Sequence, residues 1–363
     1  MVEPTEQDRH RTSLTAGSLR AAVLVLTHNG LRWLRTCLPS LVDSAARGFG
    51  IFVVDNGSTD GSLEYVRTHF PQFKVLRFES NLGFAKAYNK AIRIVSADYI
   101  VLLNNDTVIL SNDWIDNLIQ SVEGDPSIAA VQCKLVSFAD HEKLDSAGVM
   151  GERYWQGFSD VGRFECDKKQ YDSPPISPFS ICGAGALVRK SAFLEVGGFD
   201  SLFFAYDEDV DLSWRLRLAG YRIAYQPLAR VAHARHGSFR HRPNAYQMYL
   251  LRRNLLRMLM KNCGGRTFWW ALRNYLILTY IMFSGYLMMR DQKTLAIMRA
   301  LLWNLANFRD TYAERLAIQS KRRISEEVIL RDMFPNFTYH PLRHKKLRRT
   351  LDIILAKQKN LAT

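Results

Sequence analysis

Tyr99-Ile100-Val101-Leu102-Leu103-Asn104-Asn105-Asp106 decides the fold. Five consecutive residues without polar alternation read as a strand covered on both faces, the pattern of a parallel sheet. The run then stops on two amides and a carboxylate. In open α/β sheets such polar strand ends face the ligand. Similar units flank it. Residues 21–26 end at Thr27-His28-Asn29-Gly30, and residues 51–54 end at Asp55-Asn56-Gly57-Ser58. Residues 74–78, 128–135, 183–189 and 223–226 are further extended runs, and residues 33–46, 61–69 and 83–95 read as helices between strands. Strand alternating with helix predicts an α/β fold with a largely parallel sheet. Thr27, Asp55 and Asp106 then fall on one edge.

The second informative stretch is Asp207-Glu208-Asp209-Val210-Asp211, four carboxylates in five positions, running into a helical segment that stops at Gly220. Crowded acids repel, and a general base or a metal is the reason that would hold them together. Complementing a helix dipole is the plainer alternative. Asn104-Asn105-Asp106 offers oxygens that suit Mg²⁺ or Mn²⁺ shared with phosphates, with Asp106 as the metal carboxylate. Asp55 suits a base N–H or a ribose hydroxyl, or an Asx-turn. His233, with His236 nearby, is placed to complete a metal shell. No Gly-x-x-x-x-Gly-Lys-Ser/Thr occurs and no Gly-x-Gly-x-x-Gly follows the first strand, so phosphate binding falls to a metal and basic side chains.

The 363 residues are 47% hydrophobic and 23% charged, ordinary for a globular chain of more than one domain. The net charge of +14 is unevenly placed: residues 1–240 hold 26 Lys and Arg against 28 acids, residues 241–363 hold 23 against 7. The five cysteines are scattered, with no Cys-x-x-Cys, which argues against structural zinc or a disulfide framework and fits a reducing compartment. Residues 1–20 are polar and read as a flexible tail rather than a secretory signal. Residues 136–180 are irregular and aromatic-rich, a loop segment of the kind that is often a binding element, with Tyr154 and Trp155 as ligand-stacking or simply structural aromatics.

From residue 241 the texture changes. Residues 246–260 are helical and basic, and residues 268–289 are apolar but interrupted by Arg273 and Asn274. The uninterrupted remainder is shorter than the roughly 20 residues that a spanning helix needs. Residues 342–355 mix leucine and isoleucine with Arg343, Lys345, Lys346, Arg348 and Arg349. This favours helices lying in a membrane interface, with Arg and Lys toward anionic lipid. A helical core packed on the first domain is the alternative.

The motifs together resemble the family-two glycosyltransferases of GT-A fold, on the branch with bacterial rhamnosyltransferase-like enzymes. The resemblance rests on Val25-Leu26-Thr27-His28-Asn29, on residues 53–62, on Asn81-Leu82-Gly83-Phe84-Ala85-Lys86-Ala87-Tyr88-Asn89, on Leu102-Leu103-Asn104-Asn105-Asp106, and on Gly198-Phe199-Asp200 through Arg215. Arg252-Arg253-Asn254 resembles the start of that branch's helical tail. It implies a GT-A catalytic domain at 21–240, between the tail at 1–20 and the helical, basic, membrane-associating region at 241–363 that composition suggests. It implies inverting, metal-assisted transfer of a sugar, rhamnose being the branch's suggestion, from a nucleotide-diphosphate donor to a hydroxyl of a lipid-linked or cell-envelope polysaccharide acceptor. Thr27, Asn29, Asp55, Asn81, Gly83, Asn104 and Asn105 match the nucleotide-sugar positions. Asp106 and His233 match metal positions, for Mg²⁺ or Mn²⁺. Asp209, with Glu208 beside it, matches the catalytic base, and Asp211 is the second candidate. The implied location is the cytoplasm, peripheral on the inner face of the bacterial cytoplasmic membrane. A sugar nucleotidyltransferase is the alternative enzyme. The basic segment's leucine-rich texture argues against a nucleic-acid partner.

Overall fold

The computed structural model describes residues 18–152, 157–173, 175–235 and 244–334. The expectations for Tyr154, Trp155, His236, residues 342–355 and most of the N-terminal tail lie outside them. The first half alternates β1 (Leu19–Thr27), α1 (Leu31–Cys37), α2 (Val42–Ala46), β2 (Gly50–Asn56), α3 (Ser62–His69), β3 (Lys74–Phe78), α4 (Gly83–Ile94) and β4 (Ala97–Asn104). Then follow β5 (Thr107–Ile109), α5 (Trp114–Glu123), β6 (Ile128–Ser137), β7 (Leu144–Ser146), β8 (Val149–Gly151), β9 (Phe158–Asp160), β10 (Gly185–Arg189), α6 (Lys190–Glu195), α7 (Glu208–Leu218) and β11 (Arg222–His233). Five helices close the described chain: α8 (Ala245–Asn262), α9 (Gly265–Met288), α10 (Lys293–Ala306), α11 (Phe308–Ser320) and α12 (Glu326–Met333).

The main sheet runs β3-β2-β1-β4-β10-β6-β11-β5, with β7 on β6. It is parallel across β3-β2-β1-β4 and mixed beyond, because β10 runs antiparallel to both β4 and β6. Alternate residues of β1 enter different cores. Ala22 and Leu24 join a cluster with Tyr88, Phe203 and Trp214, while Val23 and Val25 join one with Leu34, Trp114 and Leu118. Apolar layers on both faces are why the strand sequences do not alternate. The expected helix over 33–46 is broken instead into α1, a 3₁₀ turn over Leu38–Leu41 and α2. Pro39 stands in the turn and supplies no N–H to a continuing α-helix.

The C-terminal helices share the first core: Leu255, Met258, Leu259, Tyr275 and Met333 pack in the same cluster as the sheet residues. The basic face expected on residues 246–260 turns inward. Arg252, Arg253, Arg257 and Lys261 are buried. Arg257 pairs with Asp200 at 2.7 Å and Asp310 at 2.8 Å, and Lys261 pairs with Asp200 and with Asp211 at 3.1 Å. Burying a cation costs several kcal/mol unless it is paired, so partners rather than lipid account for these positions. Arg273 and Asn274 break the apolar run but not the helix: α9 is continuous through both, and among the described residues no helix is long and apolar enough to cross a membrane.

Candidate active site

β1, β2 and β4 end together. Their register sets Thr27 beside Asp55 and Leu26 beside Asn104. The Thr27 hydroxyl accepts from Asn105 Nδ2 at 2.9 Å, so the two strand ends are tied across the edge. Asn29, at φ 49°, takes the Thr59 amide on its Oδ1 at 2.8 Å and donates its own amide to Ser58 Oγ at 3.0 Å. Asp55 Oδ1 accepts from the Ser58 amide at 3.0 Å, a local side-chain-to-backbone turn one residue longer than the Asx-turn anticipated as an alternative. Its Oδ2 is different: buried, without a hydrogen bond among the described residues, and 4.0 Å from Arg77 Nε. Such an oxygen is costly to leave unmatched. A donor-bearing ligand edge would satisfy it.

Asn81 and Gly83 form a turn beside this point. Asn81 Oδ1 accepts from Asn56 Nδ2 at 3.0 Å and from the Gly83 amide at 2.9 Å. Gly83 has φ +78°, and a Cβ there would lie 2.6 Å from the Phe204 carbonyl oxygen. Only glycine fits both demands.

The end of β11 reaches the same edge. His233 pairs in register with Thr107 and Ser137, and the Ala234 amide donates to the Asp106 carbonyl at 2.9 Å. His233 Nε2 lies 3.4 Å from Asp106 Oδ1, and its Nδ1 lies 2.9 Å from Asp145 Oδ2. Arg235 then bridges Asp145 to Asp160, the latter at 2.8 Å. Burial opposes a charge on His233, but Asp106 and Asp145 outweigh it and lift its pKa above the ordinary value. Asp145, Asp160 and Arg235 did not stand out in the sequence. For Asp145 and Asp160 the only signal was the irregular 136–180 segment as a binding element, which has no period to mark one residue over another; for Arg235 it was closeness in sequence to His233.

The acidic cluster is linked to this edge through Gly183-Ala184. Asp209 Oδ2 accepts from the Gly183 amide at 2.8 Å and Oδ1 from the Val210 amide at 2.8 Å. The next carbonyl after Gly183, that of Ala184, accepts from the Asn104 amide at 3.1 Å. One dipeptide therefore spaces Asp209 from the strand end carrying Asn104-Asn105-Asp106. Burial pushes the Asp209 carboxyl up to about 6, against the two amides that lower it. Burial, then repulsion from Asp209, raises Asp207 to about 7 and Glu208 well above the usual carboxylate range. Glu208 Oε2 is buried without a hydrogen bond among the described residues. Asp211 is not part of this group. It lies beneath, held by Arg215 at 2.8 Å, Lys261 at 3.1 Å and Asn262 Nδ2 at 3.0 Å, which removes it as a second base. Tyr206 and Asp207, at φ 71° and 63°, are two successive left-handed residues before α7, at about 1–3 kcal/mol each.

Among the described residues no three His, Cys, Asp or Glu side chains form a ready-made metal cage. Asp106 with His233 is a two-donor set, and its remaining positions would be filled by substrate phosphates and water, as Mg²⁺ and Mn²⁺ sites commonly are.

The sequence profile described as Glycosyl transferase family 2 matches residues 22–197. The chain carries a family 2 glycosyltransferase domain. Among curated proteins, the pre-mycofactocin glycosyltransferase of Mycobacterium tuberculosis is 32% identical over 221 residues, 58% of this chain and 42% of its own length. The N-acetylglucosaminyl-diphospho-decaprenol L-rhamnosyltransferase of the same organism is 29% identical over 234 residues, 58% of this chain and 75% of its own length. The chain thus spans less than half of the first of these relatives. In fold, the chain is similar to the crystal structure of GalNAc-T7 with UDP, GalNAc and Mn²⁺, at TM-score 0.53 and 17% identity over 68% of this chain and 48% of that one. The fold is GT-A.

Proposed function

We propose that the chain is an inverting glycosyltransferase that moves a sugar from a nucleoside-diphosphate donor to a hydroxyl of a lipid-linked or cell-envelope glycan acceptor. The observation that carries this is the approach of Asp209 to the strand end of Asn104-Asn105-Asp106 through Gly183 and Ala184. Direct displacement at an anomeric carbon needs a base for the acceptor hydroxyl and charge stabilisation for the leaving diphosphate. Asp209, with its raised pKa and two amide donors, is the base. Glu208, its carboxyl pushed up first by burial and then by Asp209, adds less negative charge beside the base. Thr27, Asn29, Asp55, Asn81, Gly83, Asn104 and Asn105 line the donor side, with Asp55 Oδ2 accepting from the nucleobase or ribose. Asp106 Oδ1 and His233 Nε2 would hold Mg²⁺ or Mn²⁺, which supplies Lewis-acid stabilisation of the diphosphate when bound. GalNAc-T7, crystallised with UDP, GalNAc and Mn²⁺, agrees with this choice of cation. Rhamnose is the donor sugar the mycobacterial L-rhamnosyltransferase suggests, and the diphospho-decaprenol in its name suggests a lipid-linked acceptor.

A membrane partner fits the outer helices. No helix of the described residues is long and apolar enough to cross a membrane. Yet Trp269, Tyr280, Leu295, Leu302, Leu305 and Tyr312 stand exposed along α9–α11. Residues 265–306 carry five Arg and Lys against one acid, Asp291. Apolar residues between arginines suit the interface of an anionic leaflet, the cytoplasmic face where a lipid-linked acceptor would be met. An isologous dimer through the same face would set like charges opposite each other.

The test is a panel of nucleotide sugars assayed for transfer or slow hydrolysis with purified full-length protein, with and without EDTA. Turnover of one donor, lost in EDTA and restored by Mn²⁺ or Mg²⁺, is expected. Pyrophosphate release from a nucleoside triphosphate instead would overturn the transferase reading, and undiminished turnover in EDTA would remove the cation.

A further inference from the structure

The two strained residues before Glu208-Asp209 have a dedicated support, and it comes from outside the domain that carries the site motifs. Asn254, on α8, is fully buried. Its Nδ2 donates to the carbonyl of Ala205 at 2.9 Å and to that of Tyr206 at 2.7 Å. Its Oδ1 accepts from Arg253 Nε at 2.8 Å. Arg253 in turn donates to the Leu202 carbonyl at 2.9 Å and stacks on Trp303 and Tyr249. Two turns earlier, Gln247 Nε2 donates to the Tyr206 hydroxyl at 3.0 Å. Both donor hydrogens of Asn254 are thus spent on one turn, and no other residue of α8 contacts these two carbonyls among the described hydrogen bonds.

The turn needs this. Left-handed backbone is unfavourable for tyrosine and aspartate, and it persists only where surroundings over-determine it. Here it sets the direction in which α7 begins. Asp209 is in the first turn of α7, and its two oxygens are placed to the amides of Gly183 and Val210 by that direction. We propose that Asn254 is a positioning residue for the base: through the Ala205 and Tyr206 carbonyls it holds Tyr206 and Asp207 left-handed and so fixes where the Asp209 carboxylate stands. The C-terminal helical region is then half of the active site rather than an appendage. This role rests on Asp209 being the base.

The experiment uses the full chain, with the nucleotide sugar that the wild type turns over fastest in the panel. Asn254→Ala is compared with Leu255→Ala, a buried neighbour on the same helix that makes no bond to the turn. Asn254→Ala is expected to lower kcat at least tenfold, leave the donor KM within about twofold, and displace the acid limb of the kcat–pH profile, because the amides that tune Asp209 shift with α7. Leu255→Ala is expected to lower the melting temperature with kcat and profile unchanged. Adding Tyr206→Gly to Asn254→Ala is expected to restore part of kcat, since glycine adopts the left-handed conformation unaided. Asn254→Ser, which keeps one donor, takes its place if the alanine variant does not fold. Wild-type kcat and an unmoved profile in the Asn254 variant, or a fall no larger than the Leu255 control shows, overturns the role. Asp209→Asn run alongside separates the two claims. If it keeps turnover, the base assignment falls whatever Asn254 does. If it is inactive while Asn254→Ala is normal, only the positioning role falls.

Discussion

At the residue scale, the site was legible where a side chain follows a strand and illegible where it arrives from a loop. Thr27, Asp55 and Asp106 could be assigned to one edge from the apolar runs that precede them, because parallel strands end on the same side, and the register does set Thr27 beside Asp55 and Leu26 beside Asn104. Asp145 and Asp160 could not. They stand in short strands within an irregular segment, and their contacts to His233 and Arg235 span long stretches of chain. Asp211 shows the reverse error: proximity in sequence to Asp209 suggested a base, but i to i+4 spacing aims it at Arg215. The chemistry predicts a specific pH behaviour for Asp209. A general base must be ionised, and this carboxyl is pushed up to about 6, so kcat should climb as pH rises through about 6. Asp209→Asn should fold, bind donor, and lose about 10²–10⁴-fold in kcat. A folded variant with wild-type turnover, or a flat profile between pH 5 and pH 8 on the scale where carboxyls of this kind titrate, would leave the proton without an acceptor.

At the element scale, the parallel half was readable because both faces of each strand are apolar. The role of α8 was not. Its arginines and lysine have the composition of a lipid-facing helix, and only the fold reveals that their partners are Asp200, Asp211 and Asp310, some fifty residues or more away in the chain. Asp200 is the hub. Burial alone would raise its pKa, but Lys261 and Arg257 hold it well below the usual carboxylate range. A depressed folded pKa gives stability that is present above the unfolded value of about 4 and lost as pH falls below it. Asp200→Asn leaves two buried cations short of a partner and should cost about 3–5 kcal/mol, read by denaturant unfolding at pH 7. Its stability should also fall less steeply than the wild type's on acidification below about pH 4. A loss under about 1 kcal/mol, the range of an exposed pair, would mean that the cluster is solvated.

At the scale of the whole molecule, one chain presents two contrasting uses of basic residues. Those on α8 are buried, and Lys261, Arg257 and Arg253 tie the helical region to Asp211 of α7 and to Asp200 and Leu202 before it. Those on α9, α10 and the turn between them sit among exposed aromatic and aliphatic side chains, with Arg273, Arg290 and Arg299 outward. Cutting the chain after Arg240 to test membrane binding would therefore also remove the support of the acidic cluster. Point changes on the outer face avoid this. Leu302 and Leu305 are 61% and 72% exposed, so Leu302→Glu with Leu305→Glu should leave unfolding free energy within about 0.5 kcal/mol, as surface changes usually do. The same pair places two carboxylates where an anionic leaflet would approach. Cosedimentation with phosphatidylglycerol vesicles should fall severalfold, while turnover of a soluble donor in slow hydrolysis stays unchanged. Wild-type binding should weaken with salt, because exposed charges are screened beyond about 8 Å at 0.15 M. Undiminished vesicle binding by the double variant would move the docking surface elsewhere, and a change in oligomeric state with no change in vesicle binding would assign the face to a second copy of the chain.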